Sequence, residues 1–220
     1  HYNTAIGYYS QMYQQNSDSA RNTSLGVESL MGVSGQSNGY QNVAIGGLTL
    51  RSNTTGFRNI AIGDHSLYTN STGSNNVAIG RNALYLNTGK NNNVAIGKDA
   101  LYTASKSTGN VAIGSEAGKY LFGNEKDSGS WNWLGQNNVL IGQGAGKNHP
   151  TQNSNVCIGY EAGMGGMSPT LYDTASDGWT NNEHYNFENT FIGWRAGRNC
   201  GANCTYNTGV GKQALTNIST

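Results

Sequence analysis

The 220-residue chain has little charge, and this shortage excludes several classes of protein. Charged residues make up only 11% of it, and the formal net charge is +1. Intrinsic disorder usually combines low hydrophobicity with high net charge, so the composition does not favour a disordered chain. Lys and Arg are scattered singly rather than clustered. A nucleic-acid partner or an acidic membrane surface is therefore not predicted.

Long apolar runs and cysteines are also scarce. No apolar stretch approaches the roughly 20 residues that cross a bilayer, so membrane insertion is not predicted. The three cysteines are too few for a disulfide framework, and a second pair for a closed zinc site is lacking. We expect Cys157 to be a small buried side chain, whereas the sequence leaves open whether Cys200 and Cys204 form a disulfide. No cofactor and no metal site is predicted.

Glycine is abundant, with 32 residues, and much of it belongs to an internal repeat of the type NVAIG. Eleven copies occur, and the Gly residues that close them are separated by 19, 20, 17, 17, 17, 17, 28, 17, 34 and 18 residues. The period is therefore 17. We interpret the step of 34 as two turns and the step of 28 as one turn with eleven inserted residues.

Each copy has the same chemistry at each position. Position 1 is always Asn, position 2 is β-branched, position 3 is mostly Ala, position 4 is Ile, Leu or Val, and position 5 is always Gly. Positions 2 to 4 alternate with the period of a short strand, and polar turn residues follow. Gly at position 5 indicates a positive φ or a close backbone approach at a corner. The fold class predicted is an all-β parallel β-solenoid with a 17-residue coil.

Stacked coils, roughly 4.8 Å apart, would place equivalent residues above one another. We expect a ladder of side-chain amide bonds between the position 1 residues and a column of corner glycines. The regular members of these columns are Asn42, Asn59, Asn76, Asn93 and Asn110, and Gly46, Gly63, Gly80, Gly97 and Gly114. About 13 coils would give a rod on the order of 60 Å long.

The alternation within each strand also predicts which side chains face the interior. We expect the position 4 Ile residues, such as Ile79, to form the inner core, and the position 3 Ala residues, such as Ala78, to point outward. A flat outer column of Ala favours close packing against another copy of the chain.

The NVAIG and NIAIG copies resemble the head repeats of YadA-like trimeric adhesins. The resemblance covers most of the chain, from Asn3 to Leu215. It implies a left-handed parallel β-roll, a homotrimer and attachment to a surface, as in a phage tail-fibre tip or a bacterial surface adhesin. We expect residues 1–220 to form a single solenoid array, regular over 39–118, that is a segment of a longer extracellular fibre.

Two interruptions, at 119–136 and 164–188, break the regular pattern. Insertions in repeat proteins form loops, and loops carry function more often than the scaffold does. Aromatic rings there suit a glycan or protein receptor, because rings stack on apolar sugar faces while Asn and Asp bond to hydroxyls. They equally suit covering an enlarged coil or contacting a neighbouring chain. The candidate ligand-binding residues are Trp131, Trp133, Tyr172, Trp179 and Tyr185.

Two alternative functions are compatible with the sequence: ice binding and polysaccharide cleavage. An ice-binding solenoid would need a regular outward Thr array, whereas Thr occupies position 2 in only four copies. A polysaccharide depolymerase would need paired carboxylates, which the second interruption offers in Asp173, Asp177, Glu183 and Glu188 without fixing their separation. His184 lies among them. No enzyme activity and no calcium site is predicted, since neither has a specific pattern.

Overall fold

The computed structural model describes residues 2–15, 20–121, 135–148, 152–165, 186–200 and 204–217. Within these ranges each repeat copy contributes one three-residue strand at positions 2 to 4, and there is no helix. These strands are β1 (Thr4–Ile6), β2 (Thr23–Leu25), β3 (Val43–Ile45), β4 (Ile60–Ile62), β5 (Val77–Ile79), β6 (Val94–Ile96), β7 (Val111–Ile113), β8 (Val139–Ile141), β10 (Val156–Ile158), β12 (Thr190–Ile192) and β13 (Thr208–Val210). Two shorter strands, β9 (Gln152–Asn153) and β11 (Asn186–Phe187), form a separate pair.

The eleven repeat strands form one parallel sheet in which each strand pairs with the next copy. The pairing joins equivalent positions throughout, for example Val77 with Val94 and Ala78 with Ala95. Because every coil returns the chain to the same place one strand further along, the fold is a parallel β-solenoid. The predicted fold class is confirmed.

The two interruptions leave the main sheet unbroken. Strand β7 pairs directly with β8 across the first interruption, and β10 pairs directly with β12 across the second. The interpretation of the 34-residue step as two turns is therefore wrong: Val156 and Thr190 are direct partners, so this step is one long turn. The sheet contains eleven strands along the axis rather than the expected 13 coils.

The predicted orientation of the strands is wrong. Position 3 faces the interior: the side chains of Ala44, Ala61, Ala78, Ala95 and Ala112 are fully buried. Positions 2 and 4 face outward, with Ile60 40% and Ile113 36% exposed. The physical reason lies in position 9, where fully buried Leu residues such as Leu84 already fill the narrow coil. Only a small side chain then fits at position 3.

Larger side chains at position 3 occur where position 9 is Gly. A Cβ on Gly197 would lie 2.3 Å from the ring of Phe191, and one on Gly163 would lie 2.3 Å from the sulfur of Cys157. A Cβ on Gly118 would similarly lie 2.8 Å from Leu140. In the coils of Cys157 and Phe191 a larger residue and Gly therefore replace the Ala and Leu pair. In the coil of Gly118 position 3 is still Ala112, and the space beside Gly118 is occupied by Leu101 and Leu140 of the neighbouring coils.

The position 1 Asn residues form a buried ladder. Each Oδ1 accepts the backbone N–H of the next Asn, as between Asn76 and Asn59 at 3.0 Å, and this contact repeats from Asn3 to Asn207. The side-chain Nδ2 of Asn76 also donates to the carbonyl of Lys90 at 2.8 Å. A second ladder, which the sequence did not predict, joins Asn53, Asn70 and Asn87 through their side chains. These bonds satisfy amide groups that would be costly to bury alone, except the Oδ1 of Asn87 at the end of the second ladder, which has no hydrogen-bond partner within the described ranges.

The corner glycines have both a positive φ angle and a close approach to the backbone of the next coil. The φ angle of Gly80 is +127°, and a Cβ there would lie 2.7 Å from the carbonyl carbon of Gly97. The same close approach recurs at Gly46, Gly63, Gly97 and Gly114. Only Gly allows adjacent turns to lie this close at such a φ.

Candidate functional site

The outward side chains of the sheet form one apolar surface, which we call the strand face. It consists of positions 2 and 4 of the eleven repeat strands, and none of these 22 side chains is charged. The surface is flat because the strands are parallel and in register, so equal side chains lie side by side. Exposed apolar patches of this kind mark association sites more often than free surface.

The side chains that face outward are those of the strand face, and not the column of Ala residues expected from the sequence. Its position 2 column is β-branched in every strand, although Thr occurs only in Thr4, Thr23, Thr190 and Thr208. The outward array is therefore mainly Val and Ile, which does not supply the regular Thr array considered for ice binding.

A second surface carries a repeated ion pair. An acid at position 7 binds a base at position 10 of the next coil. This contact joins Glu28 to Arg51, Asp99 to Lys119, Glu116 to Lys147 and Glu161 to Arg198. The pairs connect successive coils on the outside of the solenoid, as the Asn ladder does on the inside.

Glu116 is the most strongly held of these acids. It accepts hydrogen bonds from Lys147 and from Lys119, and these two contacts lower the pKa of its carboxyl from 4.5 to about 2. Partial burial opposes ionisation of Lys119, but its bonds to Glu116 and Asp99 dominate and raise the pKa of its ammonium. This cluster is internally neutralised, which is typical of a structural network rather than of a catalytic site.

Between these ion pairs, position 10 carries a stack of three tyrosines. The ring centroids of Tyr68 and Tyr85 lie 5.2 Å apart, and those of Tyr85 and Tyr102 lie 5.1 Å apart. Since each ring covers its neighbour's face, burial raises the pKa of the Tyr85 hydroxyl. The facing sides of the three rings cover one another and are therefore closed to a ligand.

The five aromatic residues that the sequence singles out, Trp131, Trp133, Tyr172, Trp179 and Tyr185, lie outside the described residues. The same holds for Asp173, Asp177, Glu183 and His184. Glu188 is described and exposed. These ligand-binding and catalytic hypotheses therefore stay predictions.

An aromatic cluster that the sequence did not single out lies next to the second interruption. Tyr160 and Trp194 both occupy position 6, before and after the interruption, and the pairing of β10 with β12 brings them together. In the regular coils position 6 is Gly, Asp, Arg, Lys or Ser. Alignment of the copies could have identified the pair, because two consecutive position 6 residues change to aromatic types.

The cysteines have two different states. Cys200 and Cys204 form a disulfide, with Cα atoms 5.9 Å apart. Cys157 is free and occupies position 3 in the core, where burial raises the pKa of its thiol to about 12. A thiol with this pKa is a poor nucleophile at neutral pH, so the geometry gives Cys157 a packing role.

Two further findings concern only the part of the chain that the structure describes. It contains no group of three or more His, Cys, Asp or Glu side chains arranged to hold a metal ion. It also contains no helix of the length and apolarity that crossing a membrane requires.

Comparison with known proteins gives no relative: no protein-family model, no curated protein and no solved structure matches the chain. The function of the chain must therefore be inferred from the geometry of the solenoid and its surfaces.

Proposed function

We propose that this chain is a structural segment of an extracellular fibre, on a virion or a cell surface, that mediates attachment to a surface glycan or protein receptor. In this proposal the solenoid supplies a rigid rod and the interruptions at 119–136 and 164–188 supply the contacts with the target. The proposal assigns no catalytic step and no cofactor to the chain.

The observation that carries the proposal is the strand face. Eleven strands at about 4.8 Å spacing and three residues of about 3.3 Å each give a flat apolar area on the order of 500 Å². This is at the upper end of the roughly 300–600 Å² patches that monomers expose. Each partner in a stable complex buries roughly 800 Å², so polar residues beside the strand face would also take part in the contact.

We propose that further copies of the same chain cover the strand face. A flat, uncharged, in-register surface is self-complementary in chemistry, and burying it would stabilise a bundle by the hydrophobic effect. Three copies is the number implied by the resemblance of the repeats to YadA-like heads. A bundle of parallel rods would resist bending better than one thin coil, which suits a fibre.

Light scattering coupled to size-exclusion chromatography tests the assembly. We expect three times the 23.3 kDa mass of one chain. Replacing Ile79 in the strand face with Lys should shift the mass toward that of one chain, while Arg81→Glu, two residues further along, should leave it unchanged. A chain that stays monomeric at high micromolar concentration would contradict the assembly.

Binding to intact cells and to a glycan array tests attachment separately. A variant with residues 166–185 replaced by a short Asn-Thr-Gly connector should keep its solenoid circular dichroism spectrum but bind more weakly than the parent chain. If this variant and a matched variant lacking 122–134 both bound as tightly as the parent chain, attachment through the interruptions would be contradicted.

A further inference from the structure

The aromatic cluster beside the second interruption offers exposed ring surface. Tyr160 and Trp194 are each 38% exposed, and their ring centroids lie 6.3 Å apart with an angle of 11° between planes. Both residues lie in the turns that directly follow the paired strands β10 and β12. The backbone N–H of Arg195 donates to the carbonyl of Tyr160 at 2.8 Å, so backbone bonds also join the two turns. A site held by such backbone pairing is preorganised for a ligand.

Cationic groups lie against these rings. The guanidinium of Arg195 lies 4.3 Å from the Trp194 ring centroid and 5.8 Å from that of Tyr160. The ammonium of Lys212, one coil further along, lies 5.3 Å from the Trp194 ring centroid. Cation and ring attract each other through the ring quadrupole, which holds the charges at the aromatic surface.

The charge of this cluster is not balanced. Arg195 and Arg198 share a single carboxylate, that of Glu161, at 2.8 and 3.3 Å. Lys212 is exposed and has no ion pair among the residues that the structure describes. The carboxylate of Glu116 is likewise shared by two bases, Lys119 and Lys147, but there Asp99 pairs with Lys119 and supplies a second negative charge. Counted over the residues that the structure describes, the aromatic cluster therefore carries an excess of positive charge.

We propose that Tyr160, Trp194, Arg195 and Lys212 bind an acidic sugar residue of a surface glycan, an inference that rests on the attachment function proposed above. The rings offer apolar surface to the C–H groups of a sugar ring. Arg and Lys only donate hydrogen bonds, so the ligand must supply acceptors, and a carboxylate is the acceptor that an excess of positive charge favours. A neutral sugar would gain the ring contact but not the charge-assisted bonds.

Isothermal titration of the whole chain with matched glycans tests this site. The probes are 3′-sialyllactose with lactose as its neutral counterpart, and trigalacturonate with its carboxyl-reduced form. We expect each acidic sugar to bind at least tenfold more tightly than its neutral counterpart, because a hydrogen bond to a charged group is stronger than one between neutral groups. Added salt should weaken only the acidic sugars.

Two variants and a control assign the binding to these residues. Lys212→Gln should weaken the acidic sugars about tenfold and leave the neutral ones unchanged, whereas Trp194→Ala should weaken both. Lys98→Gln is the matched control, since Lys98 occupies the same position 6 in a regular coil without neighbouring aromatic residues. It should bind like the parent chain. Circular dichroism checks that each variant folds.

Several results would overturn the site. They are equal affinity for acidic and neutral sugars, unchanged binding by Trp194→Ala, or a Trp194→Ala variant that alters only the oligomer mass, which would make the cluster a contact between copies. If the chain binds cells or neutral glycans through residues other than these, the attachment function stands and the acidic-sugar site does not. If it binds no cell, glycan or receptor, both proposals are wrong.

Discussion

At the scale of single residues, the side chains at positions 3 and 9 together fill the interior of a coil, except beside Gly118, where Leu101 and Leu140 of the neighbouring coils occupy the space. Regular coils fill it with Ala at position 3 and Leu at position 9, such as Ala78 and Leu84. The coil after the second interruption fills it with Phe191 and Gly197 instead. Because the space is closed, neither partner can change alone without leaving a void or a clash.

This pairing predicts a compensating double substitution. Phe191→Ala should lower the free energy of unfolding by about 3–5 kcal/mol because it leaves a cavity. Gly197→Leu should also destabilise the protein, since the new side chain would overlap the Phe191 ring. Together the two changes recreate a regular coil, and Leu84 already adopts a φ of +52°, close to the +64° of Gly197.

A double-mutant cycle measured by urea denaturation checks this prediction. We expect a favourable coupling of about 1–3 kcal/mol between the two positions. The matched control combines Phe191→Ala with Lys212→Gln, which lies outside the core and should show additive effects. If the effects of Phe191→Ala and Gly197→Leu were additive, the two positions would not share one closed space.

A second residue-scale prediction concerns pH. Hydrogen bonds from Lys147 and Lys119 lower the pKa of Glu116 to about 2 in the folded protein, below its ordinary value of 4.5. The ionised form is thus favoured by folding, so its contribution to stability is complete above about pH 4.5 and is lost as the pH falls through about 2. Glu116→Gln should therefore flatten the dependence of stability on pH between these values.

Urea denaturation at half-unit steps from pH 2 to 6 measures this effect. Glu188→Gln, which removes an exposed carboxylate, is the control and should keep the slope of the parent chain. An unchanged slope in Glu116→Gln would show that its two lysine contacts do not stabilise the fold.

At the scale of the strand, the period of the repeat was enough to predict the elements and their order. Asn, a β-branched residue and Gly recur at fixed positions, and the in-register parallel sheet follows from stacking equivalent coils. The direction of the faces could not be derived in the same way. A three-residue strand alternates equally well with Ala inward or with Ile inward, and the choice depends on Leu residues contributed by another segment of the coil.

The candidate sites were less predictable than the fold. Position 6 changes from small or charged residues to Tyr160 and Trp194, which is visible in the sequence. The sequence does not show that Tyr160 and Trp194 lie close together, because this depends on the 34-residue step being one turn. The positive charge beside them depends in turn on Arg195 and Arg198 sharing Glu161, which is a feature of three-dimensional pairing.

The orientation of the faces gives a prediction at the scale of one strand, β5. Ala78→Leu should destabilise the protein by about 1–3 kcal/mol or more, because a larger side chain would enter an interior filled by Leu84 and the neighbouring Ala residues. Ile79→Thr, one residue along, keeps the β-branched shape on the outward face and should change the free energy of unfolding of one chain by less than about 0.5 kcal/mol.

Urea denaturation at several protein concentrations separates the two effects. The loss in Ala78→Leu should be independent of concentration, whereas the effect of Ile79→Thr should appear only where the chain associates. If Ile79→Thr destabilised one chain more than Ala78→Leu does, the inward position of Ala78 would be contradicted.

At the scale of the whole molecule, the solenoid is a one-dimensional stack in which each coil contacts only its neighbours. The Asn ladder and the corner glycines carry contact from each coil to the next. A defect in a central coil therefore disturbs two interfaces between coils, and the stack can separate there into two shorter arrays. Stability should depend on where along the rod a substitution is made.

Two chemically identical substitutions test this dependence. Gly80→Ala would meet the backbone of Gly97 at 2.7 Å and would force two central coils apart. Gly211→Ala has nearly the same φ, +123° against +127°, but its Cβ would meet nothing within 4 Å. Both therefore incur similar backbone strain, and only Gly80→Ala disrupts a contact between coils. We expect Gly80→Ala to lower the midpoint of urea denaturation clearly more than Gly211→Ala does.

Amide hydrogen exchange on the 220-residue chain should show which coils each of the two substitutions destabilises. In Gly80→Ala, protection should fall around β5 and β6 and extend to the coils on both sides, while in Gly211→Ala the loss should stay near β13. Equal and local losses in the two variants would mean that backbone strain alone determines the cost. The close stacking of glycines would then not be what holds adjacent coils together, and the rigidity proposed for the fibre would have to come from the strand face instead.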